Sequence, residues 1–396
     1  MDFSFSDEER AFQEAVRRFG DRVLRPNEKR IDSEGRIPTT VLHEMASLGL
    51  LAMPVPVEYG GMGASAVLTE LAAEEIGRGD FSMATAVFFL LEAGWGLLLS
   101  RRGTNEAKRE ILPPVCQGKA FLGIATTEPT GGSDLAQIRT RSRKKGTNYV
   151  VNGEKAFLSG VEEAKSLGGG HLTLTKSEEK GFNFLYVPTN STGISTQRFE
   201  NMGRMGISTG AITYDDVLVP ERFLLGEPGK GFEYALEGFT VARTFVSAAC
   251  IGAAERALET GTTYIRERKA FGSPLGKFEG IQFELVDLWA QVEAVKWQCR
   301  RAAWLLDTYS GKTSAGLRSE VEKAVASVKL MAPPVAFEAV KRVMMWFGAA
   351  GYTKDIGLEL GLRGVMSYLV GAEGGLNIMR IILGRELLGP EFVPYK

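Results

Sequence analysis

Histidine is scarce in this chain. Only His43 and His171 occur in 396 residues, and neither has the neighbours that a Ser-His-Asp site or a histidine-ligated metal would need, so hydrolases and zinc enzymes are disfavoured. Cysteine is also rare. Cys116, Cys250 and Cys299 lie far apart with no metal-ligand spacing, which predicts reduced, buried thiols and no bound metal. A basic surplus is missing too: the net charge is −1, and nothing draws the chain to nucleic acid. No run reaches the roughly 18 apolar residues of a bilayer span. The longest, SMATAVFFLLEAGWGLLL, is broken by Glu92 and by glycines, so membrane insertion is not expected. The start, MDFSFSDEERAF, is acidic and lacks a basic and then apolar leader, which predicts neither export nor organelle import and points to the cytoplasm.

What is present is ordinary for a globular protein: 44% hydrophobic and 24% charged residues. The length suggests two or three packed units. Residues 1–118 read as helices. SDEERAFQEAVRRFGDRVL opens with Ser6 and Glu9 as a capping box, and Phe12, Ala15, Val16 and Phe19 form a helical stripe. MATAVFFLLEAG is apolar all round and should be buried. Residues 119–232 read as a compact β domain. FNFLYVP and AITYDDVLVP are strand-like, and the Asn152-Gly153 pair in YVVNGEKAFL predicts a hairpin turn. Residues 233–396 return to helical periodicity, with small residues that allow close helix contact, and read as a bundle. Helices, then strands, then helices, without βαβ alternation, argue for an α+β fold, mainly α, and against a doubly wound nucleotide-binding fold.

Four ordered stretches carry a likeness. ATTEPTGGSDLAQIRTRS, YIRERKAFGSPLGKFEGIQ, FGAAGY and EGGLNIMRIILGRELLG resemble, in that order, the characteristic segments of the acyl-CoA dehydrogenase family, and FSDEERAFQEAVRRF and VEYGGMGAS fit as well. The likeness covers essentially the whole chain. It implies an N-terminal helical domain, a central β-barrel-like domain and a C-terminal four-helix bundle. It also implies FAD as cofactor, an acyl-CoA substrate, an electron-transfer flavoprotein as acceptor, and a homotetramer.

Residue chemistry adds to this. The turn at Pro129, Gly131 and Gly132 can offer backbone N–H groups to an anion such as a pyrophosphate; a plain loop between strands is the alternative. The resemblance places Thr126, Thr127 and Ser133 along the flavin and the thioester, Phe157 beside the flavin ring, and Ser159 at its N5 edge. It places Arg268, Phe271 and Gln282, with Met345, Gly348, Gly375 and Asn377, on the cofactor side. Arginine suits a pyrophosphate through its rigid fork. Glu373 is a lone acid among Val370, Gly371, Ala372, Gly374 and Gly375. A carboxylate of ordinary pKa, roughly 4.3, is a weak base, and burial strengthens it. The resemblance implies that Glu373 abstracts a substrate α-proton while a β-hydride passes to flavin N5. The backbone at Gly374 would stabilise the developing enolate, with Arg243 organising the pocket. The competing reading makes Glu373 a helix N-cap acid.

Several positions depart from the family pattern: Ala372, Gly375, Met345, Ala350 and Gly364 replace the usual residues, and Ala242 occupies the place where some members carry their base. Glu92, alone in an apolar helix, is a second candidate acid, because a buried carboxylate is costly without a task or a partner. Two acids and small neighbours suggest a cyclic or otherwise unusual acyl group. The remaining readings are an acyl-carrier-protein dehydrogenase, an enoyl-CoA reductase or a flavin monooxygenase on the same scaffold, and a non-catalytic flavin-binding or interaction protein.

Overall fold

The computed structural model describes residues 4–309 and 315–394. The order is helical, then β, then helical, with a central curled sheet that forms a half-barrel. Two compact units emerge: one from Met1–Glu34, Ala66–Ala86 and Arg243–Lys396, the other from Gly35–Ser65 and Val87–Ala242.

The first helices are α1 (Asp7–Phe19), α2 (Arg25–Glu34), α3 (Thr39–Ser47), α4 (Ala66–Gly79), α5 (Ala84–Arg102) and α6 (Asn105–Cys116). The capping box is formed: Glu9 N donates to Ser6 Oγ at 3.1 Å and Ser6 N to Glu9 Oε2 at 2.8 Å. A π-helical turn, Gly20–Leu24, joins α1 to α2. Helix α5 is long and apolar enough to cross a membrane by length and composition, yet 89% of that stretch is buried inside the protein.

The strands are β1 (Phe121–Ala125), β2 (Arg141–Lys145), β3 (Asn148–Ser159), then helix α7 (Val161–Ser166), β4 (Gly169–Ser177), β5 (Phe182–Pro188), β6 (Ile194–Arg198) and β7 (Thr209–Pro220). They pair in the order β1-β4-β2-β3-β7-β6, with β5 on β4. One expectation fails. Asn152-Gly153 is not a hairpin turn but the middle of the continuous strand β3, where the register with β7 shifts between Val151 and Gly153. The turn lies earlier, at Gly146 (φ +61°) between β2 and β3. The pair marks a bulge instead. A side chain at Gly153 would strike Thr140 Cα at 2.6 Å. Across the bulge the Asn152 amide exchanges hydrogen bonds with Asp216, at 2.9 Å each.

The last elements are α8 (Gly231–Glu267), the short hairpin strands β8 (Lys269–Ala270) and β9 (Ser273–Pro274), and helices α9 (Glu279–Tyr309), α10 (Ala315–Trp346), α11 (Leu358–Val370) and α12 (Leu376–Leu388). Helix α10 packs on α9, α11 and α12. Close helix contact is observed where α4 meets α8: a Cβ at Gly77 would fall 2.1 Å from Ala249 O, and one at Gly252 would fall 1.8 Å from Glu74 O. Gly364 serves the same end, since a Cβ there would meet Phe81 O at 2.8 Å.

Candidate active site

In the sheet-bearing unit, β1 delivers Thr126 and Thr127 into the glycine-rich turn. Glu128 and Gly131 close it reciprocally, N–H to carbonyl at 3.1 and 3.0 Å, so Gly131 N–H is used internally. The N–H groups of Gly132 and Ser133 have no hydrogen-bond partner among the described residues, and Ser133 is exposed. The turn is pinned from beneath. The Glu128 carboxylate accepts from Arg139 N at 2.7 Å, Thr140 N at 2.8 Å and Lys155 Nζ at 3.0 Å. Burial pushes that carboxyl up, but the Thr140, Lys155 and Arg139 donors outweigh it and hold it below its ordinary value. Lys155 is fully buried, donates also to Thr126 O at 2.9 Å, and is pulled down to about 8 by burial against the pull of Glu128. Sequence reasoning missed both residues. Lys155 follows Glu154 in the strand segment EKAFL, and nothing local marks it as buried.

Strand β3 runs alongside, with Ala156 N donating to Thr127 O at 3.0 Å. The next residue, Phe157, sits on a second bulge with φ +58° and 66% exposure. A left-handed conformation costs a residue with a side chain about 1–2 kcal/mol, and exposing the ring forfeits its burial. A bulge of this kind re-aims a side chain, and such strain gathers at functional sites. The open ring near unpaired N–H groups fits a flat aromatic, phosphate-bearing cofactor. The Ser159 hydroxyl makes no hydrogen bond within the described residues, while its carbonyl lies 3.1 Å from His171 Nε2. Burial pulls His171 down to about 4, so the ring is neutral. Since a carbonyl can only accept, the proton sits on Nε2.

Glu92 belongs to the same unit. It is 0% exposed, accepts from Leu122 N at 3.0 Å through Oε1, and has no partner on Oε2 among the described residues. Burial raises it well above the carboxylate range, and the single backbone bond does not offset that.

In the other unit, Glu373 is 8% exposed. Ala372 (φ +53°), Glu373 (+56°) and Gly374 (+101°) form a left-handed run. The N-cap of α12 is Gly375, not Glu373, so the acid precedes the cap by two residues and does not serve as an N-cap. Arg243 Nε, from α8, donates to Glu373 O at 2.8 Å. Burial lowers the Arg243 guanidinium to about 10, against the raising influence of Glu373 and Glu322; it therefore remains a cation. A Cβ at Gly374 would lie 3.5 Å from Arg243 Nη2, so backbone and guanidinium are in near contact. Gly375 has extended backbone, φ −68°.

Arg268, Phe271 and Gln282 gather at the β8–β9 hairpin and the start of α9. Leu275 N donates to Arg268 O at 2.7 Å and Gln282 Nε2 to Gly276 O at 2.6 Å. Phe271, at the hairpin tip, has φ +49° and is 99% exposed, a second aromatic held open by a strained backbone. Met345 and Gly348 are exposed at the end of α10. Asn377, in the first turn of α12, accepts from Arg380 at 2.7 Å.

Comparison with known proteins accounts for nearly the whole chain. Residues 6–119, 123–217 and 229–388 match the N-terminal, middle and C-terminal domains of acyl-CoA dehydrogenase. A probable acyl-CoA dehydrogenase, YngJ, of Bacillus subtilis is 32% identical, covering 98% of this chain and 100% of that protein. A cyclohex-1-ene-1-carbonyl-CoA dehydrogenase of Syntrophus aciditrophicus is 31% identical, covering 97% and 91%. The solved glutaryl-coenzyme A dehydrogenase complex with glutaryl-CoA superposes with a TM-score of 0.91 at 26% identity, covering 100% and 99%.

Proposed function

Because this chain belongs to the acyl-CoA dehydrogenase family, it is a flavoprotein oxidoreductase acting on a CH–CH bond, and we propose that Glu373 is the base that takes the α-proton of an acyl-CoA thioester. FAD, the family's cofactor, supplies the two-electron acceptor for the β-hydride when bound. The residues proposed as cofactor contacts are, within the sheet-bearing unit, Thr126, Thr127, Ser133, Phe157 and Ser159; those proposed within the helical unit, taken by itself, are Arg268, Phe271, Gln282, Met345, Gly348, Gly375 and Asn377. Gly132 and Ser133 N–H groups suit phosphate or amide oxygens, the Phe157 and Phe271 rings suit stacking, and Arg268 suits a pyrophosphate. Arg243 and Gly374, close together in the helical unit, are proposed to orient the thioester, and Ser133 is a proposed thioester contact of the sheet-bearing unit. An electron-transfer flavoprotein takes the electrons, and the assembly is a homotetramer.

The observation that carries this reading is the setting of Glu373. It is nearly sealed from water, on backbone that costs energy to hold, beside a buried guanidinium. Removal from water makes a carboxylate a better proton acceptor. The Arg243 guanidinium holds the backbone carbonyl of the same residue, and an enzyme maintains backbone strain where the geometry of a reacting group matters. Ala372 and Gly375 put little bulk beside the acid, which suits a branched or cyclic acyl group.

The test is anaerobic bleaching of the bound flavin by a panel of straight-chain, branched and cyclic acyl-CoAs, using wild type and Glu373→Gln. Wild type should bleach with at least one member and the variant with none. A panel without effect on wild type, with bleaching by a carrier-protein thioester, would overturn the CoA assignment. Bleaching at wild-type rate by Glu373→Gln would overturn the base.

A further inference from the structure

The turn that carries Glu373 has a second anchor, singled out by neither the residue pattern nor the family likeness. Lys329 lies in the middle of α10 and is fully buried. Its ammonium donates to Tyr368 O at 2.7 Å and to Gly371 O at 3.5 Å. These carbonyls close the C-terminal end of α11, where helix geometry leaves them without intrahelical donors and where the helix dipole is negative. Among the described residues, the titratable groups that face the ammonium are Arg243 and Cys250 from α8, and Glu373 from the turn. Burial pushes the Cys250 thiol up to about 12, so it stays neutral and cannot balance the charge. The ammonium itself is pulled to about 8 by burial, with Glu373 holding it up and Arg243 pressing it down.

A cation buried among neutral carbonyls is expensive to maintain, and packing alone does not call for it, because an aliphatic chain would fill the same space. What it does is geometric. With Arg243 on Glu373 O, two cations from two helices hold the carbonyls of residues 368, 371 and 373. These brace the left-handed run Ala372–Glu373–Gly374 from both sides.

We infer that Lys329 is a positioning residue for the proposed base: its ammonium fixes the end of α11, so that the strained turn presents the Glu373 carboxylate in one orientation and beside a positive charge. This rests on the reading of Glu373 as the base. Without Lys329 the turn can relax toward unstrained backbone, and the carboxylate loses a neighbouring cation.

The experiment uses the flavin-loaded enzyme and three variants, Lys329→Met, Lys329→Gln and Glu373→Gln, followed by kcat, KM and the pH profile of kcat. Lys329→Met removes donor and charge at similar volume; Lys329→Gln keeps a donor without charge and serves if the methionine variant fails to fold. For each lysine variant the expected result is a loss of about tenfold or more in kcat. KM should change far less, flavin content should be normal, and the acid limb of the kcat profile should move to higher pH. An unchanged kcat and an unmoved limb in a folded, flavin-loaded variant overturn the inference. So does a loss that disappears when rates are expressed per bound flavin, since that would make Lys329 a packing residue. Glu373→Gln separates the two readings. If it stays active, the base assignment fails; if it is dead while both lysine variants match wild type, the base stands and only the positioning role falls.

Discussion

Two buried acids, Glu92 and Glu373, differ in what surrounds them. Glu92 sits in regular helix and, among the described residues, has one backbone N–H as its partner, an orphan oxygen and no cation beside it. Glu373 sits on strained backbone, with a guanidinium on its own carbonyl and an ammonium near by. A sealed carboxyl without a counter-charge is held in its protonated form and has no reason to give the proton up. A near-sealed carboxyl on constrained backbone, with cations close to it, is set in place for proton exchange with a substrate. Burial alone therefore does not mark a base. Burial with a compensating positive charge and a constrained backbone does.

Four substitutions test that contrast. The largest effect should come from Glu373→Gln, which should lower turnover by about a thousandfold, within the range that general-base removal spans, with flavin content and melting temperature near wild type. Next is Lys155→Met. Breaking a buried pair from one side leaves the Glu128 carboxylate its backbone donors, Arg139 N and Thr140 N, but no cation, at a cost of up to about 3–5 kcal/mol. The expected readout is a fall in melting temperature together with weaker flavin binding, because Lys155 also holds Thr126 O. Unchanged stability would mean that the pair does not organise the turn.

Phe157→Gly should act differently. The ring is exposed and its backbone strained, so the flavin-free protein should be no less stable, while flavin affinity drops by about tenfold if the ring stacks on the cofactor. Equal affinity would return Phe157 to the status of an ordinary strand residue.

Glu92→Gln should have the smallest effect on catalysis, about threefold or less on the scale where tenfold is 1.36 kcal/mol. Its signature lies in pH. The folded protein raises Glu92 above its unfolded value, so the folded state binds the proton more tightly. The favourable contribution is complete below the unfolded value, roughly pH 4.3, and is lost as pH rises toward the raised folded value. The stability of Glu92→Gln relative to wild type should therefore grow as pH rises above the unfolded value. A flat difference would show that Glu92 has a charge partner in the folded state.

The sequence alone showed the helical–β–helical order, the capping box at Ser6, the burial of α5 and the oddity of Glu373, because each leaves a local pattern: periodicity, a cap signature, an all-round apolar run, an acid among glycines. It misled at Asn152-Gly153, where the dipeptide that makes a tight turn also makes a bulge, and only pairing with β7 decides between them. It was silent on Lys155 and Lys329. A lysine at helical or strand spacing reads as a solvated side chain, and nothing local reveals that its partners are carbonyls or a carboxylate elsewhere in the chain. The strain at Phe157 and Phe271 was equally hidden, since backbone conformation at a bulge or hairpin tip is set by neighbours.

The most direct measurement of the central claim separates proton removal from oxidation. Wild type, Glu92→Gln and Glu373→Gln are incubated in D2O with an acyl-CoA that has α-hydrogens but no β-hydrogen, and deuterium incorporation at the α-carbon is followed by NMR. Wild type and Glu92→Gln should exchange the α-proton, and Glu373→Gln should not. Exchange that persists in Glu373→Gln and disappears in Glu92→Gln would contradict the account.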